Sequence, residues 1–301
     1  MFRCGDQVCR SAPDGKLRTT LTSDGGYTWV SASADGARLG VVHDGAAYVL
    51  DGEGGFVAGA LPRSAVVTAA QLSPDGSQIA TIEGGTSFSM NFKGSGRTAL
   101  APSAGGVGWL GARLLSSDGT ATCLLAGTTC ERVVGGGASP AASADGHLVA
   151  GARGGIALFD AGTGALARQL TTGAADSAPT FSPDGSLVAF SRGNEIFVTA
   201  ATAAPGAEKS VVKNGRQPVW VSGGAACRET LTAKPKAKDK RIEATACAPG
   251  AGTLTVTLVT GEHRLARKKV KTKLGGLVTV SFKKPATQAK LRVTVRFQDA
   301  G

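Results

Sequence analysis

Four near-copies of one tetrapeptide constrain this chain more than any other feature: Ser33-Ala34-Asp35-Gly36, Ser73-Pro74-Asp75-Gly76, Ser143-Ala144-Asp145-Gly146 and Ser182-Pro183-Asp184-Gly185. Each follows a short apolar stretch and precedes another, such as Leu187-Val188-Ala189-Phe190. The chemistry suits a tight reversal, because Pro presets φ, Asp bonds the local backbone and Gly closes the turn. Trp109-Leu110-Gly111 and Trp220-Val221-Ser222-Gly223 stand as degenerate copies in the gaps. The equivalent positions are then 33, 73, 110, 143, 182 and 222, with spacings of 40, 37, 33, 39 and 40 residues. A segment recurring at such intervals is one supersecondary unit that buries its apolar surface against its neighbours.

Each unit reads as four strands. In the fifth they are expected over Ala178–Phe181, Leu187–Ser191, Glu195–Ala200 and Lys209–Val212. Four strands in about 40 residues is the signature of a β-propeller blade, and six units predict six blades. The high Gly count, 44 residues, agrees with many short strands joined by tight turns. Leu72-Ser73-Pro74-Asp75-Gly76 and Pro179-Thr180-Phe181-Ser182-Pro183-Asp184-Gly185 resemble the WD-like repeats of TolB-type propellers, over about residues 1–225. Phe2–Cys9 aligns with Phe190–Phe197, the middle of the fifth unit, and Ala12–Leu17 reads as the turn and outer strand that follow. The N-terminal stretch is therefore expected to supply the outer strands of a blade whose inner strand lies near Val219–Val221. With Met1 inside a strand, further sequence upstream is expected.

The charge is divided sharply. Residues 1–226 carry 16 Lys+Arg and 17 Asp+Glu, net −1, whereas residues 227–301 carry 17 and 5, net +12; together they make the total of +11. Two domains follow, a neutral propeller over 1–226 and a basic domain over 227–301. The latter shows period-2 strands at Thr253–Leu258, Leu277–Phe282 and Leu291–Phe297, with another over Arg264–Lys271 and a turn at Gly261-Glu262. Several strands in 75 residues predict a small β-sandwich, and the segment is similar to the Ig-like modules that end exported bacterial proteins. Lys234–Arg241 reads as an exposed loop or edge strand. The run from His263 to Lys273 reads first as an edge strand guarded by charge. Its other reading is attraction to an anionic envelope polymer or lipid headgroup. Phe282 and Phe297 both fall in apolar phase, leaving no stacking platform and arguing against nucleic acid.

Six cysteines form three sequential pairs, Cys4/Cys9, Cys123/Cys130 and Cys227/Cys247. The even spacing of the first two predicts hairpins that set each pair directly opposite, with turns at Asp6-Gln7 and Ala126-Gly127. No zinc-like spacing occurs, so disulfides and an extracytoplasmic location are expected. No apolar leader is visible at the start, and no stretch approaches the roughly 18 apolar residues of a membrane span.

Little in the sequence points to chemistry. Thr22–Trp29 fits the Asp-box pattern of sialidase-type propellers once, in a connection between blades, and reads as a turn without catalytic meaning. His43, His147 and His263 have no Ser or Cys neighbours suggesting a triad, and there is no nucleophile elbow, phosphate loop or metalloprotease motif. No catalytic residue, metal site or cofactor is expected. Alternating strand directions do place all the second-to-third strand turns on one propeller face. There a Gly follows a charged residue at Asp44, Glu83, Asp118, Arg153 and Arg192, acidic in blades one to three and basic in four and five. This charge-divided face is the candidate binding surface for a protein or small ligand. The expected function is a monomeric, non-catalytic, extracytoplasmic binding protein, with the basic domain against the envelope. A lactonase- or glycosidase-like hydrolase with its site at the channel mouth is the alternative.

Overall fold

The computed structural model describes residues 1–16 and 18–222, together with five strands of the remainder, 241–248, 252–260, 263–272, 276–283 and 291–299. Every described element is a β-strand, and no described helix is long and apolar enough to cross a membrane. The chain divides into two units, Met1–Val221 and Ser222–Gly301. Residues 222–226 carry no charge, so the propeller keeps its net −1 and the second unit its +12.

The first unit is a six-bladed propeller of antiparallel sheets. We name the strands of each blade a to d from the inside outward. Blade one consists of Tyr27–Ala32, Arg38–His43, Ala46–Asp51 and Phe56–Ala58, and blade two of Val67–Leu72, Gln78–Glu83, Thr86–Asn91 and Thr98–Pro102. Blade three runs through Gly106–Leu110, Arg113–Ser117, Ala121–Ala126 and Thr129–Gly136, and blade four through Ala138–Ala142, Leu148–Ala152, Ile156–Asp160 and Leu166–Gln169. Blade five is Asp176–Phe181, Leu187–Arg192, Glu195–Ala200 and Lys209–Lys213, within two residues of expectation throughout. The core lies between blades. Val42 and Val49 of blade one meet Leu72 and Ile79 of blade two, and Ile156 and Leu158 of blade four meet Val188 and Phe190 of blade five, all essentially inaccessible. Each sheet thus buries both faces, which is why its strands carry near-continuous apolar runs.

The repeated tetrapeptide builds the same a–b turn four times. The hydroxyl of Ser33, Ser73, Ser143 or Ser182 donates to the Asp carboxylate two residues on, at 2.6, 2.6, 2.5 and 2.5 Å. The same oxygen accepts the backbone N–H five residues on, from Arg38, Gln78, Leu148 and Leu187. The four serines are buried, and each closing glycine sits at φ between 68° and 75°, where a Cβ is strained. The serine hydroxyls hold all four aspartates below the ordinary carboxylate range, Asp75 at about 2. Blade three replaces this turn with the two-residue reversal Gly111-Ala112, a shorter loop that explains the short repeat there.

Blade six is assembled from both ends of the unit. Strands Phe2–Cys4, Gln7–Arg10 and Thr19–Thr20 form its outer part, and residues 216–219 run antiparallel beside the first of them. Met1 and Val219 exchange backbone hydrogen bonds of 2.6 and 2.7 Å, and Arg3 and Arg216 exchange two of 2.8 Å. The d strand lies at Thr19–Thr20, later than the Lys16-Leu17 expected from the alignment, because Ala12–Gly15 closes its own turn on Lys16 first.

Disulfides join Cys4 to Cys9 and Cys123 to Cys130, with Cα separations of 5.8 and 5.4 Å. The expected direct opposition is corrected in both. Cys4 faces Gln7 and Cys130 faces Leu125, so the turns are Gly5-Asp6 and Gly127-Thr128 and the sulfurs bridge diagonally. The reason is turn chemistry: Gly5 and Gly127 take the first turn position at φ 66° and 62°, displacing each hairpin by one residue. Cys227 of the expected Cys227/Cys247 pair, the Gly261-Glu262 turn and residues 234–240 lie outside the described residues.

In the second unit Arg241–Ala248 pairs with Gly276–Lys283, while Gly252–Thr260 is flanked by His263–Thr272 and Leu291–Asp299. The basic run is thus an edge strand. Val256, Leu258, Val280 and Phe282 are buried, and Arg264, Arg267, Lys269 and Lys271 are exposed.

Ser73→Ala removes both hydrogen bonds of a buried hydroxyl and should cost about 1–3 kcal/mol in denaturant unfolding. The turn aspartates have folded pKa values below the ordinary 3.8, so they stabilise the fold above pH about 4, and that contribution drains away as pH falls toward 2. Acid titration of the denaturation midpoint should show this loss, and Asp75→Asn should flatten it. Cys4→Ser with Cys9→Ser should lower stability by roughly 2 kcal/mol, a loss that reduction of the wild type reproduces in part.

Candidate functional site

The b–c hairpin turns and the d–a connections emerge on one face of the propeller. Where the turn has two residues, the last residue of strand b and the residue five positions later lie diagonally across the hairpin on the same side of the sheet. Four blades fill this diagonal differently. Blade six places Cys4 and Cys9 there, and blade one His43 and Tyr48, with ring centroids 6.0 Å apart. Blade two places Glu83 and Phe88 there, and blade five Arg192 and Phe197.

Blades two and five hold the same ion pair with its signs exchanged. Glu83 accepts from Arg97 at 2.8 Å, and Arg97 lies 3.7 Å over the Phe88 ring. Arg192 donates to Glu208 at 2.8 Å and lies 4.7 Å over Phe197. Arg97 and Glu208 occupy equivalent positions, each just before the first paired residue of strand d. Glu83 is fully buried and also accepts from the Ser64 N–H at 2.7 Å and from Thr81 at 3.0 Å. Burial pushes its carboxyl up, but these bonds together outweigh it and hold it low. Arg192 grips Asp176 through two bonds of 2.6 and 2.9 Å, and its pKa is raised by the two carboxylates it touches.

The five expected site residues therefore part company. Glu83 and Arg192 close strand b, point into the blade and are neutralised there. They tie Ser64 in the connection into blade two and Asp176 at the start of strand a of blade five, so they are not free charges on the face. Asp44 is the first residue of a two-residue turn, at φ 46° with Gly45 at 70°, and is exposed. Longer loops lift Asp118 and Arg153 into solvent. Asp118 accepts the N–H groups of Ala121 and Thr120 and the Thr120 hydroxyl, which hold it at about 2. The proposed electrical division loses one member from each half.

A second acidic group, missed in the sequence, surrounds His43 where blades six and one meet. The His43 Nε2 lies 2.7 Å from the Gly25 carbonyl, 3.5 Å from Asp24 and 3.7 Å from Asp44. The Asp6 carboxylate lies against Gly25, where a Cβ would require that side chain to move aside. The Tyr27 ring packs tilted against His43 at 4.6 Å and its hydroxyl donates to Asp24, and burial followed by that carboxylate pushes its phenol up to about 12. Asp24 was legible only as part of Thr22–Trp29, of which residues 22–26 connect blades six and one and Tyr27–Trp29 begin strand a of blade one, with Thr22 accepting the Val8 N–H. His147 stands in an a–b turn, on the opposite face. Among the described residues no three His, Cys, Asp or Glu are grouped to hold a metal ion.

Arg192→Met leaves Asp176, whose side chain has no exposure, without its partner. With Arg192 itself about one-third exposed, about 2–4 kcal/mol of stability should be lost. Glu83→Arg with Arg97→Glu, which copies the blade-five arrangement into blade two, should recover part of the loss caused by Glu83→Arg alone in the same unfolding assay.

No protein-family model matches the chain, and no curated protein matches it. Among solved structures the chain is similar to TolB from Acinetobacter baumannii, with 18% identity, a TM-score of 0.54, 71% of this chain covered and 62% of that one. It thus spans less than two-thirds of that TolB chain. A mitotic checkpoint complex chain matches at 18% identity and TM-score 0.47 over 83% of this chain and 77% of that one. The β-propeller domain of Myceliophteria thermophila Cps50 (Swd1) matches at 12% and 0.49 over 82% and 94%. The likeness to TolB is one of fold, a six-bladed β-propeller.

Proposed function

We propose that this is a non-catalytic, extracytoplasmic binding protein whose b–c face captures a protein or small ligand. The observation that carries the reading is the contrast within that face. Glu83 and Arg192 are spent on internal ion pairs that stiffen the connections, whereas Asp44, Asp118 and Arg153 are held at the tips in solvent. Rigid loops with outward charges on a closed scaffold are the usual form of a recognition surface. The carboxylates of Asp24 and Asp44 beside His43 favour a basic group at the junction of blades six and one.

Two disulfides support an oxidising compartment. We read the second unit, with its pair of antiparallel sheets, as an Ig-like sandwich, and its charge as the means of association with the anionic cell envelope. The protein acts as a monomer in this reading.

Envelope extracts passed over the immobilised protein should yield a ligand whose capture falls at least tenfold on Asp44→Arg or Arg153→Glu, with melting unchanged. Retention of full capture by both variants refutes the face. Hydrolysis of a lactone or glycoside that disappears in His43→Ala refutes the non-catalytic reading.

A further inference from the structure

We propose that the outward face of the three-stranded sheet in the second unit binds a linear phosphodiester polymer with short polyol linkers, laid along its central strand. The proposal rests on the reading that this unit associates with the anionic envelope, and it names the surface and the polymer chemistry. The register builds the surface in rows. Thr257 stands beside Arg267, Thr255 beside Lys269 and Thr253 beside Lys271, while the opposite neighbours of Thr255 and Val259 are Arg296 and Arg292. The alternation is confirmed by burial, since Val256 and Leu258 between these residues are inaccessible. A bulge at Leu265 restores the phase, so that Arg264 pairs with Val259 in the outward set instead of turning inward.

The side chains on this face have two heights. Threonines occupy the central strand, and long cations stand exposed along the His263–Thr272 edge. Strands lie about 4.8 Å apart, so the flanking strands are roughly 10 Å from one another, wide enough for one extended chain. Outward residues recur about every 6.7 Å along a strand, which gives each phosphate in turn a cation at the side and a hydroxyl donor below. The unit's net charge of +12 supplies the complementary field. No described residue of the face is aromatic, so nothing stacks on a nucleobase, and threonine in place of bulky apolar residues gives a bilayer little to accept.

The test uses the full chain with poly(glycerol phosphate) as probe, and oligothymidylate, polygalacturonate and vesicles of equal parts phosphatidylglycerol and phosphatidylcholine as alternatives. Poly(glycerol phosphate) should bind most tightly, with affinity falling steeply as salt rises. Arg267→Thr/Lys269→Thr/Lys271→Thr should weaken it about 100-fold at low salt, with melting unchanged. A control of equal charge loss, Lys234→Thr/Lys236→Thr/Lys238→Thr, should weaken it only a few-fold, as should Lys268→Thr on the inward side of the same strand. Thr255→Val should weaken binding without changing charge. Equal losses in the two triple variants would overturn the face while leaving envelope association intact. Tighter binding of oligothymidylate, polygalacturonate or vesicles overturns the polymer chemistry, and no binding to any of the four overturns the envelope reading as well.

Discussion

Four backbone hydrogen bonds between residues 216–219 and Met1–Arg3 hold the propeller ring shut, and the other blades depend on them. Each blade buries apolar surface against its two neighbours, so an open ring would leave one sheet face bare on either side of the gap. The junction is reinforced from several directions. Phe2, Cys4 and Cys9 pack against Ile196 and Val212 of blade five, and Val8 packs against Tyr27 and Val41 of blade one. A disulfide spans the outer hairpin of the same blade. The acidic group of Asp24 and Asp44 beside His43 lies at this closure, where Asp6 of blade six covers Gly25, whose carbonyl His43 contacts.

The diagonal position in the b–c hairpins shows how a repeated backbone hosts different chemistry. A disulfide, an aromatic pair and two pairings of a charged residue with phenylalanine, of opposite charge, all occupy one geometric slot. What the slot requires is a side chain at the end of strand b that can reach across the hairpin, and any attractive contact meets that demand. The charges in blades two and five are thus consumed by the architecture, and those of blades one, three and four are left for a partner. The second unit spends its charge differently. Its cations line an edge strand, where they both discourage strand addition and create a field directed outward.

The blade strands, the four identical turns and the mixed-terminus blade were all legible because each rests on short-range rules: period-two alternation, and Ser, Asp and Gly at set offsets. At the hairpins the structure departs from the sequence pattern by one residue. Asp44-Gly45, Glu83-Gly84 and Arg192-Gly193 look alike in sequence, but the first begins its turn at the acidic residue and the others at the glycine. That single step sends Asp44 to solvent and turns Glu83 and Arg192 inward. The same displacement made both cysteine pairs diagonal. A second glycine after Glu83-Gly84 is the one local hint of the difference, and Arg192-Gly193-Asn194 has no such hint.

By itself the sequence determined the fold class, the blade count, the pairing of the first four cysteines and the division of charge between the two units. All of these are carried by composition and by contacts between residues near in the chain. Only the tertiary structure decided which charges face solvent. That depends on where each hairpin turns, and on whether a partner such as Arg97, Asp176 or Glu208, some 14 to 16 residues distant, arrives beside it. A buried charge must find its partner because desolvation is costly, and the chain folds to meet that requirement before it leaves any charge for recognition.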